Sequence, residues 1–149
     1  MAGPVGGGAD RRTVLDADGR AKAYRPVAPR ERTAAVIAGL QAYAAGDFFE
    51  AHELMEPAWM GTDDPAEREL IQGLIKLAAA DVHGVRGNPR GVARNLEGAR
   101  DRLRRVPDGD AIADLRFDLP GLLDAIDRRL TELAADRPTD PIPVTWSSR

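Results

Sequence analysis

The chain has no cysteine, which excludes disulfides, thiolate zinc sites, iron–sulfur clusters and cysteine nucleophiles and makes a reducing compartment, the cytoplasm by default, the expectation. Aromatic residues are scarce at 5%, and lysine is confined to Lys22 and Lys76. Neither sign of charge prevails: 21 Lys+Arg face 24 Asp+Glu, for a formal net charge of -3. That balance argues against a nucleic acid or a membrane surface as partner. No apolar run approaches the roughly 20 residues of a membrane-crossing helix, and none follows Met1, so neither spanning nor export is expected. What is present is 149 residues, 43% of them hydrophobic, which suits one core and not two domains of ordinary size.

Residues 1–28 carry clustered glycine (Gly3, Gly6, Gly7, Gly8) and little apolar periodicity, so they read as a flexible tail with Tyr24 and Pro26 as docking points. From about Pro29, Val36, Ile37, Leu40, Tyr43 and Ala44 recur at helical spacing until Gly46 stops the helix. Asp47 followed by Glu50 reads as an Asp form of the capping box, opening a second helix that ends at Gly61. The short turn between them predicts an antiparallel pair.

Asp64 and Pro65 open a third and longest helix, closed near Arg86 by Gly87, whose apolar residues cover most of its circumference. Such a helix belongs at the bundle centre. Asn88 and Pro89 start a fourth helix with Val92, Leu96, Ala99, Leu103 and Val106 on one stripe, ending at Pro107. A linker with a short turn near 111–115 leads to Asp118, Leu119 and Pro120 and a fifth helix lined by Leu122, Leu123, Ile126, Leu130 and Leu133. Residues 137–149 form a Pro-rich tail, with Trp146 anchored on the body or loose. No strand alternation and no internal repeat is evident. The expected fold is all-α: a compact bundle of about five helices, spanning 29–136, around a long central one.

On the second helix Phe49, His52, Glu53, Glu56, Trp59 and Met60 fall within about 120° of one another. Carboxylates on an aromatic face need a partner or a ligand, because an ionised group buried alone costs several kcal/mol. His52 and Glu56, at i and i+4, can answer one another as a structural pair. On the third helix Gln72, Lys76, Ala79 and His83 lie within about 60°. If that line faced the second helix, His52, Glu53, Glu56 and His83 would form a His/carboxylate set for Zn, Mn or Fe; otherwise it is a solvent-facing stripe. Known metal motifs do not apply. H-E-x-x-H fails because position 56 is Glu, and the Glu-x-x-His of di-iron bundles fails because residues 80 and 49 are Ala and Phe. Asp81, on the Leu70, Leu74, Leu77 face, reads as a polar plug meeting an arginine. Arg86, Arg90, Arg94, Arg100, Arg102, Arg104 and Arg105 lack interleaved aromatics and read as a solvated face.

The run Gly46-Asp47-Phe48-Phe49-Glu50-Ala51-His52-Glu53, with Glu56 and Trp59, resembles the signature of domain of unknown function 309. A second block agrees, with Leu70-Ile71-Gln72-Gly73-Leu74-Ile75, Ala78, Ala79, His83, Arg86, Gly87, Asn88 and Gly91, and the two blocks span about residues 33–105. The resemblance implies a compact, self-associating helical bundle with no established activity. Its polar signature maps onto Glu50, His52, Glu53, Glu56, Gln72, His83 and Asn88. Pro57 and Asp81 depart from the pattern, and Pro57 bears on the geometry of the second helix's last turn.

The sequence carries one functional reading and one alternative, in that order. One is a non-enzymatic interaction or homo-oligomerisation module in which these polar residues knit helices together. The other is a pocket binding a small polar ligand or divalent metal, with hydrolysis as the chemistry. In that pocket His52, Glu53, Glu56 and His83 are the metal ligands, and Glu50, Gln72 and Asn88 hold the bound cofactor or ligand. Glu56 or Glu53 serves as base there and His52 as acid. No motif names a cofactor or a nucleophile.

Overall fold

Proline and capping side chains open the helices of the computed structural model, which describes residues 13–15 and 21–148. Helix α1 (Pro29–Ala44) starts on its proline. At α3 (Pro65–Val85) the Asp64 carboxylate accepts from the Glu67 amide at 2.8 Å, with Pro65 in the first turn. Asn88 accepts from Gly91 ahead of α4 (Pro89–Leu103), and Asp118 from Gly121 ahead of α5 (Leu119–Ala134). Each bond satisfies an amide that the helix start leaves without a partner, and proline at the first positions has no such amide to lose.

Helix α2 (Phe48–Met60) starts differently. The Asp47 side chain makes no cap bond, so the capping box expected there does not form. Its backbone is already committed to closing α1: Gly46, at φ 86°, donates to the Tyr43 carbonyl and Asp47 to that of Ala42. This is the two-bond closure that a left-handed residue permits, and glycine adopts it without strain. The same closure ends α3, where Gly87 donates to Gly84 and Asn88 to His83.

Helices α1 and α2 pack as a hairpin, α3 packs on α2 and most extensively on α4, and α5 covers α4. The bundle is all-α in its main elements, and α3 is its long central helix, with Leu70, Ile71, Leu74, Ile75, Leu77, Ala78 and Ala80 buried. The α4 pattern extended to Pro107, yet the helix ends at Leu103: Arg105 and Val106 bond back only three residues, a tightened last turn that still buries Val106.

Short strands are present where no alternation was evident. Within the segment read as an N-terminal tail, β1 (Thr13–Leu15) pairs antiparallel with β2 (Ala21–Ala23). Arg25 and Val27 then donate to the Met60 and Gly61 carbonyls; the remainder of that tail, 1–12 and 16–20, lies outside the described residues. Near the other end β3 (Leu115–Phe117) pairs antiparallel with β4 (Trp146–Ser148), Phe117 opposite Trp146, which anchors the Pro-rich segment on the body. Three residues are too few to display a period of two.

Among the described residues, two buried or half-buried polar networks stand out in tying these elements together. Arg32 donates in bidentate fashion to Glu67, which also accepts from Thr62 at 2.7 Å, and a third bond from Arg32 reaches the Val27 carbonyl. Deeper in, Arg129 donates to Asp81 at 2.8 Å and to Thr139 at 3.0 Å, while the Tyr43 hydroxyl lies between Asp81 and the Ile142 carbonyl. Asp81 thus meets an arginine, and the pair links α3, α5, α1 and the C-terminal segment.

Candidate functional site

The phase of α2 is set by what it buries. Ala51, Met55, Ala58 and Trp59 face the core, and a 3.6-residue period then turns 49, 52, 53 and 56 toward the opposite side. The arc that united these residues with Trp59 is therefore cut by the edge of the core. The side chains of His52, Glu53 and Glu56 are 29%, 55% and 23% exposed, accessible and not buried as an aromatic-face reading required.

These three side chains converge. His52 Nδ1 lies 3.2 Å from Glu53 Oε1 and 3.9 Å from Glu56 Oε2. One ring nitrogen and one oxygen from each carboxylate all fall within 4.8 Å of one another. A carboxylate can only accept, so where His52 bonds Glu53 the Nδ1 N–H is the donor, and an ion bound at Nδ1 would displace that proton. Pro57, one residue on, has no amide to give to the Glu53 carbonyl. A nitrogen and two anionic oxygens at this separation are a donor set for a borderline or hard divalent ion, with the outward side open to water or to a further ligand.

The structure places the other predicted residues elsewhere. His83 does not join the three: its Nδ1 is 3.0 Å from Asn88 Nδ2. The Asn88 carbonyl oxygen is occupied by the Gly91 amide, so the amide nitrogen faces His83 and the ring accepts, leaving its proton on Nε2. His83 reaches α4 because Gly91 leaves room; a Cβ there would sit 2.3 Å from Nδ1. Lys76, two turns earlier, likewise lies over Gly98. At Lys76 and His83 the polar line of α3 therefore lies over α4, half-buried, and His83 does not join the α2 group. Gln72 is buried in α3, more than three turns from Asn88. Glu50 is exposed and lines a groove of about 610 Å³ between the start of α2 and the end of α3. Of the arginines on and just beyond α4, Arg100 pairs with Asp127, and Arg102 and Arg105 with Glu69.

Sequence reasoning passed over the groove, and of the Tyr43–Asp81–Arg129 network it expected Asp81 to meet an arginine without identifying Arg129 or including Tyr43. The signal for the first was Phe49 beside Phe48 at the mouth of a helix. For the second it was Asp81 on an apolar face, whose partners Arg129 and Tyr43 are distant in sequence. Burial, reinforced by the Asp81 charge, raises the Tyr43 hydroxyl above its ordinary value of 10.0.

Residues 36–95 match the family model described as a domain of unknown function (DUF309), which bears out the resemblance of the two motif blocks over that stretch. That stretch holds α2, all of α3 and both members of the His83–Asn88 pair. No curated protein and no solved structure matches the chain.

Proposed function

We propose that this helical domain binds a divalent metal ion on the outer face of α2, through His52, Glu53 and Glu56, and presents the ion's remaining positions to water or a small polar ligand. The observation that carries this is the meeting of three donor atoms of the right kinds within 4.8 Å on an accessible face. A helix supplies the core of such a site readily, since residues i and i+4 project from adjacent turns on one side. Oxygen-rich sets with one imidazole suit Mn²⁺, Fe²⁺ or Zn²⁺.

The competing role for these residues, knitting helices together, is filled by other side chains. Among the described residues, bonds between elements run through Arg32, Glu67 and Thr62, through Tyr43, Asp81 and Arg129, and also through Arg102 with Glu69, Arg100 with Asp127 and His83 with Asn88. His52 and Glu53 bond to each other on the surface of one helix, a contact that contributes little to stability. An ion at this site would act as a Lewis acid toward whatever fills its open positions.

Titration of the chelator-treated protein with Mn²⁺ or Zn²⁺ tests the proposal. One ion binds per chain, and His52→Ala or Glu56→Gln weakens binding by more than about tenfold, the loss common even for an outer-sphere partner, with helicity unchanged. Absence of binding, or binding indifferent to both substitutions, removes it.

A further inference from the structure

Among the described residues, the large hydrophobic side chains left exposed are Phe49 at 62% and Val85 at 76%. They come from different helices, and both line the same groove, with Phe48 and Val82 beside them. Isolated exposed apolar residues are ordinary on a protein surface; a pair converging on one groove marks a contact surface. Neither belongs to the metal donor set, and Val85 lies on α3, whose last turn takes no part in that site.

The charges around the groove indicate what covers it. Glu50, with Asp47, stands on the α2 wall, and Arg86 on the α3 wall. Among the described residues neither the Glu50 nor the Arg86 side chain forms an ion pair or hydrogen bond within the chain. One acidic wall, one basic wall and an apolar floor make a self-complementary surface. Under a two-fold axis the acidic wall of one copy meets the basic wall of the other, and each Phe49 lies over the other's Val82 and Val85, the arrangement an isologous interface requires. A net charge of only -3 sets little long-range repulsion against the encounter of two copies.

We propose that this groove is the interface of a symmetric homodimer, centred on Phe49 and Val85 and held in register by reciprocal Glu50–Arg86 pairs. An interface built around one groove and two exposed apolar side chains lies at the small end of the interface range, so the dimer is a weak one, dissociating in the micromolar range. It goes beyond the metal reading and stands independently of it.

Sedimentation equilibrium in the presence of EDTA keeps the two apart. The full chain at about 100 µM, well above a micromolar dissociation constant, sediments as a dimer of the 16.0 kDa chain. Phe49→Asp makes it monomeric with an unchanged helical spectrum, because the side chain is already in water. Glu50→Arg and Arg86→Glu each weaken the dimer by roughly fivefold to tenfold, the range for a rim charge placed against its like, and the double exchange restores it. A wild-type monomer at this concentration overturns the proposal, as does a dimer indifferent to Phe49→Asp or a double exchange no better than the single ones.

Discussion

Arg129 Nη2 donates to Asp81 Oδ1 across 2.8 Å, with the two side chains only 6% and 3% exposed. An ion pair so enclosed is costly to form and more costly to break, because removing one member leaves the other charged and without water. Arg129→Met should therefore lower unfolding free energy by about 3–5 kcal/mol. The double variant Arg129→Met, Asp81→Leu should recover most of that loss. Urea unfolding of the three proteins measures both numbers, and equal losses in the single and double variants would show that the pair's charge is not the cause.

Tyr43 makes this network dependent on pH. Its hydroxyl donates to the Ile142 carbonyl at 2.7 Å, and burial together with the Asp81 charge raises its pKa above 10.0 in the folded chain. A group whose folded pKa is raised contributes stability below its unfolded value, and that contribution declines as pH climbs past it. The wild type should thus lose stability above pH 10.0 more steeply than Tyr43→Phe does. At neutral pH that variant should be less stable by about 1–2 kcal/mol, since the Ile142 carbonyl loses its donor. Denaturant midpoints at pH 7, 10 and 11 check both statements.

Asp136 ends α5 at φ 59°, in the conformation that glycine occupies at the ends of α1 and α3. Its amide and that of Arg137 close the helix onto Leu133 and Glu132. Asp136→Gly relieves the side-chain clash of the left-handed region and should raise stability by about 0.5–1 kcal/mol. Thermal unfolding would register this as a higher midpoint; a fall would mean that the aspartate side chain contributes something beyond the turn.

Gly91 gives His83 its place. An added methyl would lie 2.3 Å from His83 Nδ1 and 2.8 Å from Asn88 Nδ2. Gly91→Ala should break that hydrogen bond and cost about 1–3 kcal/mol through overpacking. Metal affinity should be unaffected by Gly91→Ala and by His83→Ala alike, as His83 stands outside the donor group. Calorimetric titration of both variants decides the point.

The helices were legible because their ends are local chemistry. Pro29, Asp64-Pro65, Asn88-Pro89 and Asp118 with Pro120 mark starts that need no tertiary context, and Gly46 and Gly87 mark stops. The strands were not legible, for β3 and β4 are three residues each and find one another across α5 and the Pro-rich segment. Three of the four residues expected as ligands converge, and this was legible for the same reason as the helices: His52, Glu53 and Glu56 share consecutive turns of one helix. The position of His83 was not, because α3 is buried on most sides and its apolar pattern carries no phase. The available signal lay in α4, where Gly91 and Gly98, two turns apart, make room for His83 and Lys76, also two turns apart.

The chain has two histidines, so nitrogen-15 spectra of the imidazole rings resolve the central claim residue by residue. On adding one equivalent of Zn²⁺ to chelator-treated protein, a His52 ring nitrogen should show the large shift of direct coordination while both nitrogens of His83 keep their positions. Unmoved His52 resonances at full equivalence, or a coordination shift on His83 instead, would contradict a metal site on α2.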